Sequence, residues 1–598
     1  MRKLIILSEY LLNPIKWLHK KLTHRQFLII AGIIVGLISG FAAIILKSIV
    51  HFIQLLLTNQ YFTQYEKIVF LVSPLVGIVL TVGVVKFFFK GKIGKGIANI
   101  LYEIAQKSSF VYPDKMYSHI ITSSITVGFG GSAGLESPIV VTGSAIGSNF
   151  GKKFQLNYKE RTVLLAAGAA AGISAVFNAP IAGVMFAIEI LLTEVAVAEL
   201  IPIIFASVSG ALFSKIILQE DILFFFKLKE NFSYLNVPFY IGLGILSGFV
   251  SLYYIKITHF IENKFDRFKT KVFKKAIISG VILGILCLLF PALFGEGYAS
   301  IKYLANDEAY KILEDSLFKF EIGNEFFLLI FIGLIMLIKV IATSVTLSGG
   351  GNGGNFAPSL FVGAFTGYFF SNVLNSSNYV TLPTSNFTLV GMSGILSGVM
   401  HSPLTAIFLI AEITGGYELM IPLMIVSSFS YIISKHFEPF SMDTKKLALK
   451  NLIFTSNKDK NILSQLHIHQ LIETDIKTIQ PDANLGQLIN LIKNCKRNIF
   501  AVVTKDNEFK GIINLDDIRE IMFRRDMYEK IKITQLMKNS VKVIDINDSV
   551  DTVIKKFDKS QEWNLPVVEN KKYRGFISKS KLHIQYRNQL IEQSGIQE

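Results

Sequence analysis

Charged residues, cysteine and tryptophan are scarce in this chain of 598 residues. Only 17% of its residues are Asp, Glu, Lys or Arg, whereas 51% are hydrophobic. That is too little charge for a soluble protein of this size, so much of the apolar surface is expected to face lipid. Cys287 and Cys495 lie in different regions and form no metal or redox spacing, and the ten histidines are dispersed. The composition therefore predicts a membrane protein and not an enzyme or a metalloprotein.

Long apolar runs support a multi-pass protein, because each is near the ~20 residues that cross the hydrocarbon core as a helix. They occupy residues 27–45, 68–89, 236–255, 276–294 and 326–347. The net charge of +16 comes from Lys and Arg scattered over loops and flanks, which fits membrane topology better than nucleic-acid binding. Residues 1–26 read as a basic amphipathic helix, so we expect both termini in the cytoplasm. If the source is bacterial, the membrane is the cell membrane.

The composition changes near residue 440, where an apolar, glycine-rich region gives way to a polar one. This change predicts a transmembrane domain at 27–440, a linker at 441–467 and a soluble tail. The tail contains a duplication, since Phe500–Ile518 resembles Leu565–Leu582, each reading as strand, polar turn, strand and helix. We therefore predict two small α/β units at 468–525 and 535–590.

The membrane region is also a duplication, and its apolar stretches are broken by Gly and Pro. One series of residues recurs 220 positions later: Gly130, Gly131, Gly134, Pro138, Gly143, Gly147 and Phe150 match Gly350, Gly351, Gly354, Pro358, Gly363, Gly367 and Phe370. Two repeats with discontinuous helices place a substrate between them, and glycine-rich helix starts favour an anion. The alternative is that these glycines only permit close helix packing, but the two loops are too glycine-dense for a stable helix interior.

Glu136 stands out in the first loop, which reads GSAGLESP. Pro138 suits the first turn of a helix, so backbone N–H groups near Gly134 to Glu136 lack intrahelical partners. An acid inside an apolar membrane segment is costly unless it has a function. The second loop has the same design with Phe356 in the place of Glu136, so only one repeat carries a titratable group.

These residues resemble the CLC chloride channel and transporter family. The resemblance is carried by GLESP, GGNFAP and the pair FNAPIAGVMFAIE (177–189) and MHSPLTAIFLIAE (400–412), and the tail resembles paired CBS modules. It implies a mainly α-helical multi-pass fold of two inverted repeats with broken helices, followed by two small α/β CBS modules. It also implies a homodimer with one anion pathway per subunit.

In that family the glutamate matching Glu136 is a gate that occupies an anion site and swings away when protonated. A carboxylate is a tethered anion, and protonation removes its attraction to the helix ends. The resemblance implies that backbone amides beside Gly134, at Leu135 and Glu136, and at Asn355 and Phe356 face the anions.

Two anion-site residues depart from the family pattern. Lys95 stands where a serine usually contributes a hydroxyl, and Asp443 stands where a tyrosine does. Losing two hydroxyl donors leaves the preference among chloride, nitrate, bromide and fluoride open. We hypothesise that Lys95 and Asp443 pair across the site, because a lone charge there is costly. The alternative is that both are solvated charges in a cytoplasmic vestibule.

Ile190 occupies the position at which family exchangers carry a second, proton-relaying glutamate. Isoleucine cannot carry a proton, which favours a passive channel over a proton-coupled anion exchanger. Water or Glu194 could still provide a bypass for protons. Glu189 and Glu412 occupy matching repeat positions and are predicted to be structural partners of helix ends.

The CBS-like units are candidates for binding an adenine nucleotide, and no other cofactor is indicated. The family places a Ser/Thr and an Asp after the glycine-containing strand. Here the first unit offers Asn514 and Asp517 and the second offers Ser578 and Lys581, so neither has the full pair. A purely structural dimerising tail is the alternative, and a membrane-anchored nucleotide sensor is a distant third function.

Overall fold

The computed structural model divides the chain into two units, Met1–Ile453 and Phe454–Glu598. The residues that it describes are Trp17, 20–57, 66–91, 93–94, 96–192, 197–218, 232–268, 271–314, 316–318, 323–377, 379–449, Leu466, 468–539, 541–560 and 562–594. Most of the predicted N-terminal helix (1–26) and of the predicted linker (441–467) lies outside these residues.

The first unit is built from α-helices. In chain order they are α1 His24–Leu57, α2 Glu66–Phe87, α3 Gly96–Gln106, α4 Lys115–Gly128, α5 Glu136–Lys153, α6 Tyr158–Phe177, α7 Pro180–Phe186, α8 Val197–Leu218, α9 Val237–Arg267, α10 Val272–Leu289, α11 Tyr298–Ala305, α12 Lys311–Glu314, α13 Glu325–Ser348, α14 Phe356–Asn375, α15 Thr384–Met400, α16 Pro403–Ile413, α17 Met420–Phe437 and α18 Lys445–Leu449. Eight helices among the described residues are long and apolar enough to cross a membrane. This confirms the predicted multi-pass helical fold.

The two repeats have matching helix pairs, α5 with α6 and α14 with α15. A Cβ atom added to Gly143 would lie 2.1 Å from the carbonyl oxygen of Gly168, and one added to Gly363 would lie 2.5 Å from that of Gly391. These glycines let the helix backbones touch, so the packing interpretation is correct for them. The glycines of the loops differ, since Gly130 and Gly350 have φ angles of +90° and +114°. Such angles suit glycine because it has no Cβ atom.

The second unit contains two copies of one small α/β arrangement. Its elements are α19 Ile468–Leu471, β1 Thr478–Ile479, α20 Leu485–Lys493, β2 Ile499–Val503, β3 Phe509–Asn514, α21 Leu515–Ile518, α22 Ile533–Leu536, β4 Ile544–Asp545, α23 Val550–Ser560, β5 Asn564–Glu569, β6 Lys572–Ser578 and α24 Lys579–Ser594. The sheets have the orders β1-β2-β3 and β4-β5-β6. In each, a parallel pair is followed by an antiparallel pair with a register shift, at Val502/Val503 and at Val567/Val568.

The two copies pack against each other through their strand–turn–strand segments. The N–H group of Phe509 donates to the carbonyl of Lys571 (3.1 Å), and that of Tyr573 donates to the carbonyl of Asn507 (2.9 Å). Tyr573 and Phe576 also share one hydrophobic core with β2 and β3. The duplicated segments therefore form one compact tail.

Candidate functional site

The glycine-rich loops of the two repeats meet in the middle of the first unit. Gly134 and Gly354 form a short antiparallel bridge, in which each N–H group donates to the other residue's carbonyl at 2.9 and 2.8 Å. Helices α5 and α14 begin two residues after these glycines. The first N–H groups of a helix have no intrahelical partner and carry partial positive charge. The bridge therefore brings two positive helix ends to one place.

Glu136 is the first residue of α5, and only 1% of it is exposed. Its Oε1 atom accepts a hydrogen bond from the Tyr298 hydroxyl at 2.8 Å, and its Oε2 atom accepts one from the Ala357 N–H group at 3.4 Å. Ala357 belongs to the first turn of α14, so the carboxylate of the first repeat binds the helix start of the second. A Cβ atom at Gly134 would lie 2.0 Å from Oε2, which explains the glycine there. The carboxylate occupies a place suited to an anion.

Phe356, the equivalent of Glu136 in the second repeat, is fully buried. The centre of its ring lies 5.8 Å from that of Phe177 and 6.4 Å from that of Phe186. Both partners belong to helices of the first repeat, so Phe356 packs the two repeats together. The preceding residue, Asn355, accepts a hydrogen bond from the buried Tyr254 hydroxyl at 3.4 Å.

A cavity of about 230 Å³ opens beside the two helix starts. It is lined by residues of the two loops, by α3 and α9, and by the segment that follows α17. Its walls include Ile97, Ala98, Ser137, His259, Glu262, Gly353, Gly354, Asn355, Met442, Asp443 and Lys446. Among the predicted anion-site residues, Asn355 and Asp443 therefore line one space. Lys95 lies outside the described residues, so its pairing with Asp443 stays a prediction.

Charged groups of both signs line one side of this cavity. The carboxylate of Glu262 lies 3.1 Å from His259 Nδ1 and 3.1 Å from Lys446 Nζ. Desolvation, the largest cause, and the nearby Glu262 carboxylate together raise the pKa of Asp443 to about 6, while His259 opposes the rise. Asp443 can thus change its charge near neutral pH while facing the space next to the helix starts.

Two residues that the sequence did not reveal, Tyr298 and Glu296, contact Glu136 or its neighbour Leu135, and a third, Lys339, holds the loop that carries Glu296. Tyr298 binds its carboxylate, and Glu296 accepts a hydrogen bond from the Leu135 N–H group at 3.4 Å. Lys339 is fully buried, and its Nζ atom donates to the carbonyls of Leu293 and Gly295 at 3.3 and 3.0 Å. The sequence feature that points to a role for Glu296 and Lys339 is that each is a charged residue within an apolar stretch, where a charge is costly unless it has a function.

Glu189 and Glu412 contact each other's repeat. Glu189 accepts from the Leu404 and Thr405 N–H groups at 2.9 and 2.7 Å, and Glu412 accepts from the Ile181 and Ala182 N–H groups at 3.0 and 2.8 Å. Each carboxylate thus caps the short helix of the other repeat, which is the structural role predicted for the pair.

Ile190 lies in a five-residue π-helical turn, Ala187–Leu191, which continues from α7. Its side chain is partly buried and packs against the main hydrophobic core. The predicted relay position therefore holds an apolar side chain.

The candidate nucleotide contacts of the tail are engaged by other side chains. Asp517 accepts from Lys538 Nζ at 2.8 Å, an ion pair that raises the pKa of Lys538. The Ser578 hydroxyl donates to Glu473, whose carboxylate also lies 2.6 Å from an Arg497 guanidinium nitrogen. These contacts join elements within the tail.

The paired helix starts, the buried carboxylate between them and the apolar helices around them are the features of a membrane protein with an anion site between two repeats. A sequence profile described as "Voltage gated chloride channel" matches residues 76–435, which is more than half of the chain. CBS domain profiles match residues 468–524 and 533–583. The chain belongs to the voltage-gated chloride channel family and carries two CBS domains.

Curated relatives bear chloride-channel names. The chain is 26% identical over 488 residues to chloride channel protein CLC-f of Arabidopsis thaliana, covering 71% of this chain and 60% of the relative. It therefore spans about 60% of that protein's length. It is 27% identical over 320 residues to the voltage-gated ClC-type chloride channel ClcB of Escherichia coli, covering 53% of this chain and 71% of the relative.

Solved structures share the fold. A slow cyanobacterial Cl-/H+ antiporter superposes with a TM-score of 0.63 at 22% identity, covering 72% of this chain and 99% of the other. A eukaryotic CLC transporter superposes with a TM-score of 0.58 at 17% identity, covering 93% of this chain and 97% of the other.

Proposed function

We propose that the protein moves chloride or similar small inorganic anions across the membrane through a pathway gated by Glu136. The observation that carries this proposal is the position of the Glu136 carboxylate, which is buried at the start of α5 and bonded to the start of α14. A permeating anion needs the same donors, so the carboxylate and the anion compete. Protonation makes the side chain neutral, weakens its hold on the helix ends and frees the site.

Ile190, at the predicted proton-relay position, favours passive conduction of anions. Ile190 provides no group that carries a proton, and the cavity beside Asn355 gives anions a direct approach to the helix starts. In this mode, protons set how often Glu136 moves aside but do not cross the membrane with each anion.

Proton-coupled anion exchange is the second candidate. Two solved structures with this fold are described as a Cl-/H+ antiporter and a fluoride/proton antiporter. The chain also carries two further carboxylates near the helix starts, since Glu296 binds the Leu135 N–H group and Asp443 lines the cavity. These carboxylates could bind protons in place of a glutamate at position 190.

Chloride efflux from liposomes tests the proposed gate. The purified protein should release chloride, and Glu136→Gln should raise the efflux at neutral pH and remove most of its dependence on pH, because glutamine imitates the protonated gate. Glu308→Gln is a matched control, since Glu308 pairs with Lys311 and is 39% exposed. Absence of chloride flux in the parent and in the Glu136→Gln variant would contradict both candidates.

Proton movement separates the two candidates. If a chloride gradient drives protons uphill into the liposomes, the protein is an exchanger. If chloride moves and the internal pH does not change, it is a passive channel. The same liposomes loaded with nitrate, bromide or fluoride would establish the anion preference.

The assembly and the role of the tail are also proposals. We infer a homodimer with cytoplasmic termini from the family, and a tail that is structural and non-enzymatic. Light scattering in detergent tests the dimer, and titration of the full chain with ATP tests the tail, whose engaged Asp517 and Ser578 side chains lead us to expect no binding.

A further inference from the structure

The loop between α10 and α11 carries Glu296 and is fixed to both repeats. The Gly295 N–H group donates to the carbonyl of Gly130 in the first repeat at 3.2 Å. Lys339 Nζ donates to the Gly295 carbonyl at 3.0 Å. A Cβ atom at Gly297 would lie 2.5 Å from the Phe361 ring of the second repeat. The backbone on both sides of Glu296 is therefore held in place, and so is the start of its side chain.

Glu296 reaches the same helix start as the gate. Its Oε1 atom accepts from the Leu135 N–H group at 3.4 Å, and Leu135 directly precedes Glu136 and caps α5. Two residues after Glu296, Tyr298 donates its hydroxyl to Glu136 at 2.8 Å. This loop thus supplies a second carboxylate, and the first residue of the helix that follows it, α11, supplies the hydrogen-bond donor that holds the first.

The two carboxylates differ in their access to water. Glu136 is 1% exposed, whereas Glu296 is only partly buried. Among the described residues, the charged or titratable groups that act on Glu296 are Lys47 on α1, Lys339 on α13, Tyr298 on α11 and the Glu136 carboxylate itself. The Glu136 carboxylate opposes the ionisation of Glu296, so the pair holds a proton more readily than either group alone.

We propose that Glu296 is the carboxyl group through which Glu136 gains and loses its proton. In the forward step the O–H bond of protonated Glu296 breaks and an O–H bond forms on the Glu136 carboxylate. The total charge of the pair does not change. Glu296 is left as a carboxylate and takes its next proton from water. The inference rests on the proposed gating role of Glu136 and gives it a proton donor within the same chain.

An acid jump on liposomes measures this step directly. After the external pH is lowered, chloride efflux through the parent protein should rise as Glu136 is protonated. Since positioned acids and bases accelerate proton transfer by about 100-fold or more, Glu296→Gln should slow that rise by at least about tenfold. Glu308→Gln should leave it unchanged. Glu296→Asp keeps the carboxyl group one methylene further back and should restore much of the rate.

A second pair of variants separates a proton donor from a structural residue. In a Glu136→Gln background no gate is left to protonate, so adding Glu296→Gln should leave the chloride efflux unchanged. If both Glu296→Gln and Glu296→Asp respond to the acid jump as fast as the parent while Glu136→Gln abolishes the response, the inference about Glu296 is wrong and the gate stands. If Glu136→Gln itself leaves the pH dependence intact, the proposed function is wrong.

Discussion

The two repeats of the membrane unit share one backbone design. The Gly131 N–H group donates to the Thr126 carbonyl at 2.8 Å, and the Gly351 N–H group donates to the Thr346 carbonyl at 3.0 Å. In each repeat, a residue with a left-handed backbone separates the next two helices. This residue is Asn178 between α6 and α7 (φ 55°) and His401 between α15 and α16 (φ 57°). The duplicated sequence therefore builds the same helix starts twice.

The side chains at the start of α5 and α14 make the repeats different. Glu136 carries a carboxylate that binds Tyr298 and Ala357, whereas Phe356 carries a ring that packs on Phe177. The donors for an anion come from the backbone, and both repeats can supply them. In the proposed function, the side chain at this position decides which repeat gates the pathway. The proposed anion site would then depend on backbone geometry in both repeats, and its gating on one residue.

Giving the second repeat a carboxylate should have the largest effect. Phe356→Glu would bury a charge among the Phe177 and Phe186 rings, which offer it no hydrogen-bond donor. A buried unpaired charge costs about 3–5 kcal/mol. We expect no folded, monodisperse protein by size-exclusion chromatography in detergent. Phe356→Leu, which keeps the position apolar, should still yield folded protein, and a well-folded Phe356→Glu variant would contradict this account.

Loosening the first repeat's gate should have the next largest effect. Tyr298→Phe removes the 2.8 Å hydrogen bond to Glu136, and a hydrogen bond to a charged group contributes about 1.5–3 kcal/mol. The gate should leave its site more often, so chloride efflux from liposomes at neutral pH should rise about tenfold. Tyr310→Phe is the control, because Tyr310 is 44% exposed. Equal efflux from the Tyr298→Phe variant and the parent would show that this bond does not hold the gate.

The main features of the membrane unit could be predicted from the sequence, because the sequence is duplicated and because Gly and Pro mark where helices begin. The glycine-rich loops, the placement of Glu136 at a helix start and the capping roles of Glu189 and Glu412 all follow from residues close in sequence or related by the duplication. The two α/β units of the tail were predictable for the same reason. A local pattern, seen twice, predicts local structure well.

The contacts of Tyr298 with Glu136, of Glu296 with Leu135 and of Lys339 with Gly295 could not be predicted from the sequence, because these three residues lie outside the duplicated motifs. Tyr298 is separated from Glu136 by 162 positions, and no periodicity links them. The cost of burying Glu296 and Lys339 signals a role for these residues but does not name their partners. Such partners become visible only when the loop after α10 folds against both repeats.

Glu189 and Glu412, which each cap a helix of the other repeat, allow the stability contributions of the two repeats to be compared. Glutamine has one carbonyl oxygen, so it cannot accept from two N–H groups as well as a carboxylate does. Glu412→Gln should lower the free energy of unfolding by about 1–3 kcal/mol. Glu189→Gln should lower it slightly more, because Glu189 also accepts from the Thr405 hydroxyl at 2.7 Å. Thermal unfolding in detergent measures both, with exposed Glu314→Gln as the control. An unchanged midpoint for either variant would contradict its capping role.

Asp443 has no duplicated counterpart and should give the smallest effect. Its pKa is raised to about 6, so above that pH its carboxylate places a negative charge on the cavity wall, which repels incoming anions. Chloride flux should therefore fall a few-fold as the pH on the cavity side rises from about 5 to about 7, since an interaction of about 1 kcal/mol is expected across such a space. Asp443→Asn should lose this few-fold part of the pH dependence and keep the larger part that the proposed Glu136 gate causes. Asp266→Asn is the matched control, because Asp266 faces the same Lys446 at 3.6 Å but is 73% exposed. If Asp443→Asn shows the parent's pH profile, the charge of Asp443 does not act on the permeating anion.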